Sequence, residues 1–182
     1  MSFEPTHSID DIVPDARPAF EDLLLAAEQL GLKPSVGKNG AGRTCATQQM
    51  LKGQGPSTTG AGMCQSFHVI GRALDIDISP STCANYTKLG QLWEAWGGTW
   101  GGRWAQFGAC GDARHFQWSG GAQVVPASIC PGDVSLEECE PIRLEYLAKS
   151  RGSSLASVGI GLAVAGVIAA GAIVWRAYAA KR

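Results

Sequence analysis

Between Arg72 and Ser79 the sequence alternates. Leu74, Ile76 and Ile78 fall on one side of an extended chain, and Ala73, Asp75 and Asp77 fall on the other. A helix would scatter the three branched residues around its axis. A strand gathers them on one face against a core and turns two aspartates toward the other face. A carboxylate held beside a sheet is costly unless it is paired or bound to a cation. The preceding stretch, Ser66-Phe67-His68-Val69-Ile70-Gly71, offers a partner, since His68 lies seven residues before Asp75.

Other segments supply layers for this strand to pack on. Phe20, Leu23, Leu24, Ala27 and Leu30 recur at offsets of three and four, which predicts a helix over 18–30. Asp15 is its expected cap and Gly31 its stop. Residues 32–42 read as a short strand and turn, and Thr44 to Leu51 as a short helix followed by a loop. Leu89, Leu92, Trp93 and Trp96 mark one side of a helix over 82–96. GGTWGGRWAQFGACGD reads as a glycine–aromatic loop, and Arg114 to Trp118 as a last strand. Residues 119–142 read as a cysteine-containing tail. The pattern predicts an α+β domain, a small sheet with flanking helices.

The formal net charge is −1, which gives no electrostatic case for a nucleic-acid partner. The six cysteines, Cys45, Cys64, Cys83, Cys110, Cys130 and Cys139, include no CxxC pair, against a four-cysteine zinc site. Their even number points to disulfides in an oxidising compartment, with buried thiols as the alternative. The first twenty residues contain no apolar signal core. Leu155 to Trp175, however, runs 21 residues without a charge. At about 1.5 Å per residue this suffices for a hydrocarbon layer of about 30 Å. Trp175 and Tyr178 sit where interfacial aromatics belong, and Arg176, Lys181 and Arg182 follow. The expectation is a transmembrane helix over 155–175, a basic tail over 176–182, a linker over 143–154, and a lipid bilayer as partner. The positive charges favour the preceding domain on the periplasmic or extracellular side, with a tail-anchored domain on the cytoplasmic side as the alternative.

His68 and His115 each lie near a carboxylate, with Asp112 three residues before His115 in GDARHFQW. Spacing alone leaves open whether these are structural pairs or metal ligands. Taken together, Ser66-x-His68-x-x-Gly71-x-Ala73-x-Asp75 and Asp112-x-x-His115-Phe116 resemble the zinc D,D-carboxypeptidase and L-alanyl-D-glutamate endopeptidase family (M15-like), which cleaves peptidoglycan stem peptides and includes phage endolysins. Arg43-Thr44-x-x-x-Gln48-x-x-Leu51 resembles its arginine motif, and the Trp-Gly-Gly runs at 96–98 and 100–102 resemble its WGG element. The resemblance covers about residues 18–118.

It implies a small antiparallel sheet with flanking helices and Zn2+ as cofactor, within a peptidase domain over residues 1–142. The implied zinc ligands are His68, Asp75 and His115. Asp112 is the implied catalytic acid or base, and Arg43 is expected to face an oxyanion or a substrate carboxylate. Gln48 and Ser66 are expected substrate contacts, and Asp77 a support for the ligands. Glu94 reads as structural. Aspartate rather than glutamate at 112 resembles the endolysin-like branch and favours an L-alanyl-D-glutamate endopeptidase. The alternatives are a D,D-carboxypeptidase and a non-enzymatic virion or cell-wall protein that retains the fold. With the apolar run, the implied setting is a membrane-anchored lytic enzyme, in a cell envelope or the internal membrane of a phage virion. Two pairings, Cys45–Cys64 beside the arginine motif and Cys130–Cys139 in the tail, are expected.

Overall fold

A computed structural model describes residues 8–38, 40–53, 66–119 and 136–157. Its elements are α1 (Arg17–Gln29), β1 (Lys33–Val36), α2 (Cys45–Gly53), β2 (Ala73–Ser79), α3 (Cys83–Ala95), β3 (Thr99–Trp100), β4 (His115–Gln117) and α4 (Leu136–Ser157). The strands form one sheet in the order β1-β2-β4-β3, and every neighbouring pair is antiparallel. This is the α+β arrangement expected from the sequence.

The alternation in β2 is realised. Leu74, Ile76 and Ile78 are buried on the core face. Phe20, Leu23 and Ala27 of α1 and Tyr86, Leu89 and Trp93 of α3 complete that core. Trp93 is its centre: its ring lies 4.9 Å from that of Phe20 and 5.1 Å from that of Trp118. Its indole Nε1 donates to the carbonyls of Thr99 and Gln117, so the one polar atom of a fully buried ring is satisfied. Helix α3 begins at Thr82, whose hydroxyl accepts from the Asn85 amide at 3.2 Å.

Several expectations change. Helix α1 is preceded by Ala16 with no side-chain cap, and Asp15 is instead hydrogen-bonded to Arg72. Gly31, at φ +78°, does end the helix, and the Leu32 amide reaches back to the Ala27 carbonyl at 3.0 Å. Within the expected glycine–aromatic loop, Thr99–Trp100 forms a short strand, because its backbone finds a partner in β4 with Trp100 opposite Phe116. The expected linker over 143–154 and the end of the cysteine tail instead belong to a single helix, α4, whose Tyr146 and Leu147 pack against the core.

The membrane-anchored placement is also corrected. Among the described residues no helix is long and apolar enough to cross a membrane. The run that suggested one falls, from residue 158 onward, outside those residues.

Disulfides are present. Cys83 at the start of α3 is bonded to Cys110, with Cα atoms 5.7 Å apart, and Cys45 is disulfide-bonded as well. No cysteine among the described residues is free. The expected pairings Cys45–Cys64 and Cys130–Cys139 each involve a residue outside those described.

Candidate metal centre and active site

The sheet itself assembles two thirds of the centre. Asp75 on β2 stands directly opposite His115 on β4, so both side chains leave the sheet on the face away from the core. The third group comes from the turn before β2. There the Val69 amide donates to Ser66 O at 3.0 Å, and the Arg72 amide donates to Phe67 O at 2.9 Å. The Ser66 hydroxyl, expected to meet substrate, accepts from the His68 amide at 3.3 Å and is buried. Gly71 closes the turn at φ +66°, where a Cβ would stand 2.8 Å from Asp11 O. Glycine is therefore required both by conformation and by space.

His68 Nε2, His115 Nδ1 and Asp75 Oδ1 converge. The two nitrogens are 3.1 Å apart, and each lies 3.2 Å from the carboxylate oxygen. The outer atoms of the rings fix which nitrogen carries a proton. His68 Nδ1 lies 2.9 Å from Ala41 O, a carbonyl that can only accept, so Nδ1 is protonated and Nε2 presents a lone pair. His115 Nε2 lies 3.1 Å from Gln117 Oε1; with its proton there, the Nδ1 lone pair turns inward.

In those tautomers three acceptors face one point and need a positive charge between them, supplied by a cation or, without one, by a proton on His115 shared with Asp75. A tetrahedral cation with bonds of about 2.0–2.1 Å separates its ligand atoms by about 3.3 Å. The observed triangle therefore fits zinc, and the three residues can hold a metal ion. Imidazoles already oriented by a carbonyl and an amide are the arrangement by which outer partners tune metal ligands.

The electrostatics carry the same signature. Burial pushes His68 below the ordinary imidazole range. Burial also works against charge on His115, but its hydrogen bond to Asp75 and the charges of Asp75 and Asp112 outweigh it, and His115 is raised. Asp75, although buried, is held well below the usual carboxylate range by the two imidazoles.

Arg43 and Gln48 form the layer behind Asp75. Arg43 Nη2 donates to Asp75 Oδ2 at 2.7 Å, and Nη1 donates to Gln48 Oε1 at 3.2 Å. Arg43, expected to face substrate, here grips Asp75 Oδ2, the oxygen not shared with the histidines. Gln48, an expected substrate contact, is fully buried beneath it. Asp77 shares the face of Asp75 but is paired with Arg114, at 2.7 Å from Nε and 3.1 Å from Nη2, and makes no hydrogen bond to a ligand. Glu94 pairs with Arg103 on the surface, in keeping with a structural role.

Asp112 sits at the base of the loop between β3 and β4. Its amide donates to Gly101 O at 2.9 Å, and its carbonyl accepts from the His115 amide at 3.1 Å. Its partly buried carboxyl is raised by burial, and His115, Asp75, Arg114 and Arg43 lie within electrostatic reach. The same loop brings Trp104 over His115, with rings 4.9 Å apart, and Phe107 against Trp104. Sequence reasoning missed Ala41, Gln117 and Trp104. Gln117 had a signal, since two residues along a strand from His115 means the same face. Ala41 acts through its backbone and had none.

The Cys83–Cys110 bond ties this loop to α3 two residues before Asp112. Its sequence separation is 27. On the loop-closure account, the double variant Cys83→Ser/Cys110→Ser should lose about 3–4 kcal/mol of stability. A lowered urea midpoint with an unchanged far-ultraviolet spectrum is the expected reading. An unchanged midpoint would show that the loop is held by its other contacts alone.

Residues 59–118 match a peptidase M15 family model described as D-alanyl-D-alanine carboxypeptidase. The match contains His68, Asp75, Asp112 and His115, and it begins after Arg43 and Gln48. No curated protein matches the chain.

Proposed function

We propose that this chain, which resembles the M15 peptidases over residues 59–118, is a zinc-dependent peptidase that hydrolyses an amide bond of the peptidoglycan stem peptide, between L-alanine and D-glutamate. The observation that carries the reading is the convergence of His68 Nε2, Asp75 Oδ1 and His115 Nδ1 at 3.1–3.2 Å from one another, with the Asp112 carboxyl in electrostatic reach.

A zinc ion held by these three atoms would supply Lewis acidity to the scissile carbonyl and acidify water. The rest is done by the chain. Asp112, ionised, takes a proton from the attacking water and returns it to the leaving nitrogen as the carbon–nitrogen bond breaks. Arg43 holds Asp75 Oδ2, which leaves Oδ1 directed at the metal. The carbonyl of Ala41 and the side chain of Gln117 keep both imidazoles in the tautomers that donate inward. Trp104 covers one side of His115 and limits the approach of bulk water from there.

The choice of bond rests on where the cations are. A carboxypeptidase must recognise a free C-terminal carboxylate, for which arginine is the usual partner. The two arginines that act on Asp112 are already bonded to carboxylates of the chain, Arg43 to Asp75 and Arg114 to Asp77. This favours an internal bond. The family model's description favours the second reading, D,D-carboxypeptidase.

Incubation of the zinc-loaded chain with a purified muropeptide pentapeptide, followed by mass spectrometry, separates them. The expected product is a peptide with a new D-glutamate amino terminus. Release of D-alanine would establish the second reading. No cleavage of either bond would overturn both and leave a binding or structural role.

A further inference from the structure

We propose that α4, which lies beyond the family-matched segment, positions the metal ligand Asp75 through a chain of hydrogen bonds that starts at Glu140; the inference concerns the same site and rests on the reading that it holds zinc. Glu140 Oε2 accepts from the backbone amide of Cys45 at 3.2 Å, at the first residue of α2. The first amides of a helix have no partner within it, and a carboxylate there both satisfies a donor and complements the helix dipole. Helix α2 carries Gln48, whose Oε1 accepts from Arg43 Nη1 at 3.2 Å, and Arg43 Nη2 holds Asp75 Oδ2 at 2.7 Å. Glu140 is itself fixed by Arg143, whose Nε lies 3.0 Å from Oε1.

A second contact holds the helix in register. Tyr146 OH accepts from Arg72 Nε at 2.8 Å, while the Arg72 amide closes the His68 turn onto Phe67 O and the Arg72 carbonyl receives the Trp118 amide after β4. Helix α4 thus contacts α2, which carries Gln48, and Arg72, which closes the His68 turn. Glu140 is a positioning residue. A shift of α2 would move Gln48, release Arg43 and free Asp75 to rotate, which a metal with strict ligand geometry would register as lost affinity.

The test compares full-length wild type with Glu140→Ala, Glu140→Asp and Glu140→Gln, reading zinc affinity by competition with a chromophoric chelator. Outer partners of metal ligands are typically worth about 10–100-fold in affinity, and a group one step further out should lie near the lower end, about tenfold. Glu140→Ala should show that loss. Glu140→Asp, too short to reach Cys45, should show it too, and it serves where the alanine variant does not fold. Glu140→Gln loses the charge paired with Arg143 but keeps an oxygen for the Cys45 amide, and should restore affinity to within about twofold of wild type. Equal zinc affinity in all four proteins, with only the melting temperature lowered, would overturn the proposal and leave α4 a structural helix. Because the readout is metal affinity, it stands even where no peptide is cleaved. A wild type that binds no zinc would instead refute the site on which the inference rests.

Discussion

His115→Ala is expected to abolish stoichiometric zinc binding and, with it, peptide hydrolysis. The loss of affinity should exceed the roughly 10–100-fold typical of outer partners, because a donor atom itself is removed. His115 Nδ1 is one corner of a triangle whose sides are 3.1 and 3.2 Å, and among the described residues His68, Asp75 and His115 are the one group of such side chains that converges closely enough to hold a metal. Gln117→Ala provides the internal comparison. It removes the acceptor for His115 Nε2 and so relaxes the tautomer, at a cost within the 10–100-fold range. Equilibrium dialysis followed by elemental analysis gives both numbers. Treatment of wild type with a strong chelator should remove activity, and added zinc should return it. A His115→Ala chain that retains one equivalent of zinc would show that the three groups are a structural cluster.

Asp112→Asn should keep its zinc and lose about 10²- to 10⁴-fold in kcat, the usual worth of a general acid–base group. The pH dependence has a defined sign. Asp112 is raised by burial, so it becomes ionised only above the ordinary aspartate value of about 3.9. As a base it works ionised, and the acid limb of kcat/KM should lie above that value and vanish in the asparagine variant. Linkage gives a second, opposite readout. A carboxyl whose folded pKa is raised binds its proton more tightly in the folded chain, so stability falls as pH rises through the interval between its unfolded and folded values. At neutral pH the metal-free Asp112→Asn chain should therefore melt no lower than wild type, and higher where burial dominates. Loss of activity together with equal or greater stability is the mark of a group placed for function at a cost to the fold. Loss of zinc in the variant would make Asp112 a ligand. Unchanged turnover would leave it a turn residue.

Arg43 and Gln48 show why the site was only partly legible. Their spacing identified them, but their tasks depend on partners far along the chain: Arg43 reaches Asp75 across 32 residues. A guanidinium serves an oxyanion, a substrate carboxylate or a buried aspartate equally well, so residue type alone does not choose among them. Asp77 illustrates the converse. Period two correctly places it beside Asp75, yet Arg114, adjacent to it across the sheet, takes both of its oxygens.

The sequence by itself determined the strand Ala73–Ser79 and its two faces, and helices α1 and α3, each of which follows from local periodicity. The choice of His68, Asp75 and His115 as ligands came from the resemblance of their motifs to a family, since spacing alone left it open. The expectation of disulfides, drawn from cysteine number, also holds, though the observed partner of Cys83 was set only when the loop beyond β3 folded back to the start of α3. Only the tertiary structure decided the two-residue strand Thr99–Trp100, the direction of both imidazoles, the burial of Gln48 and the docking of α4. These rest on backbone carbonyls, cross-strand register and contacts between residues up to 95 positions apart, as between Cys45 and Glu140. Such contacts cost chain entropy to form and leave no repeating signature in the sequence, because any of several residue types can make them once the fold has brought the groups together.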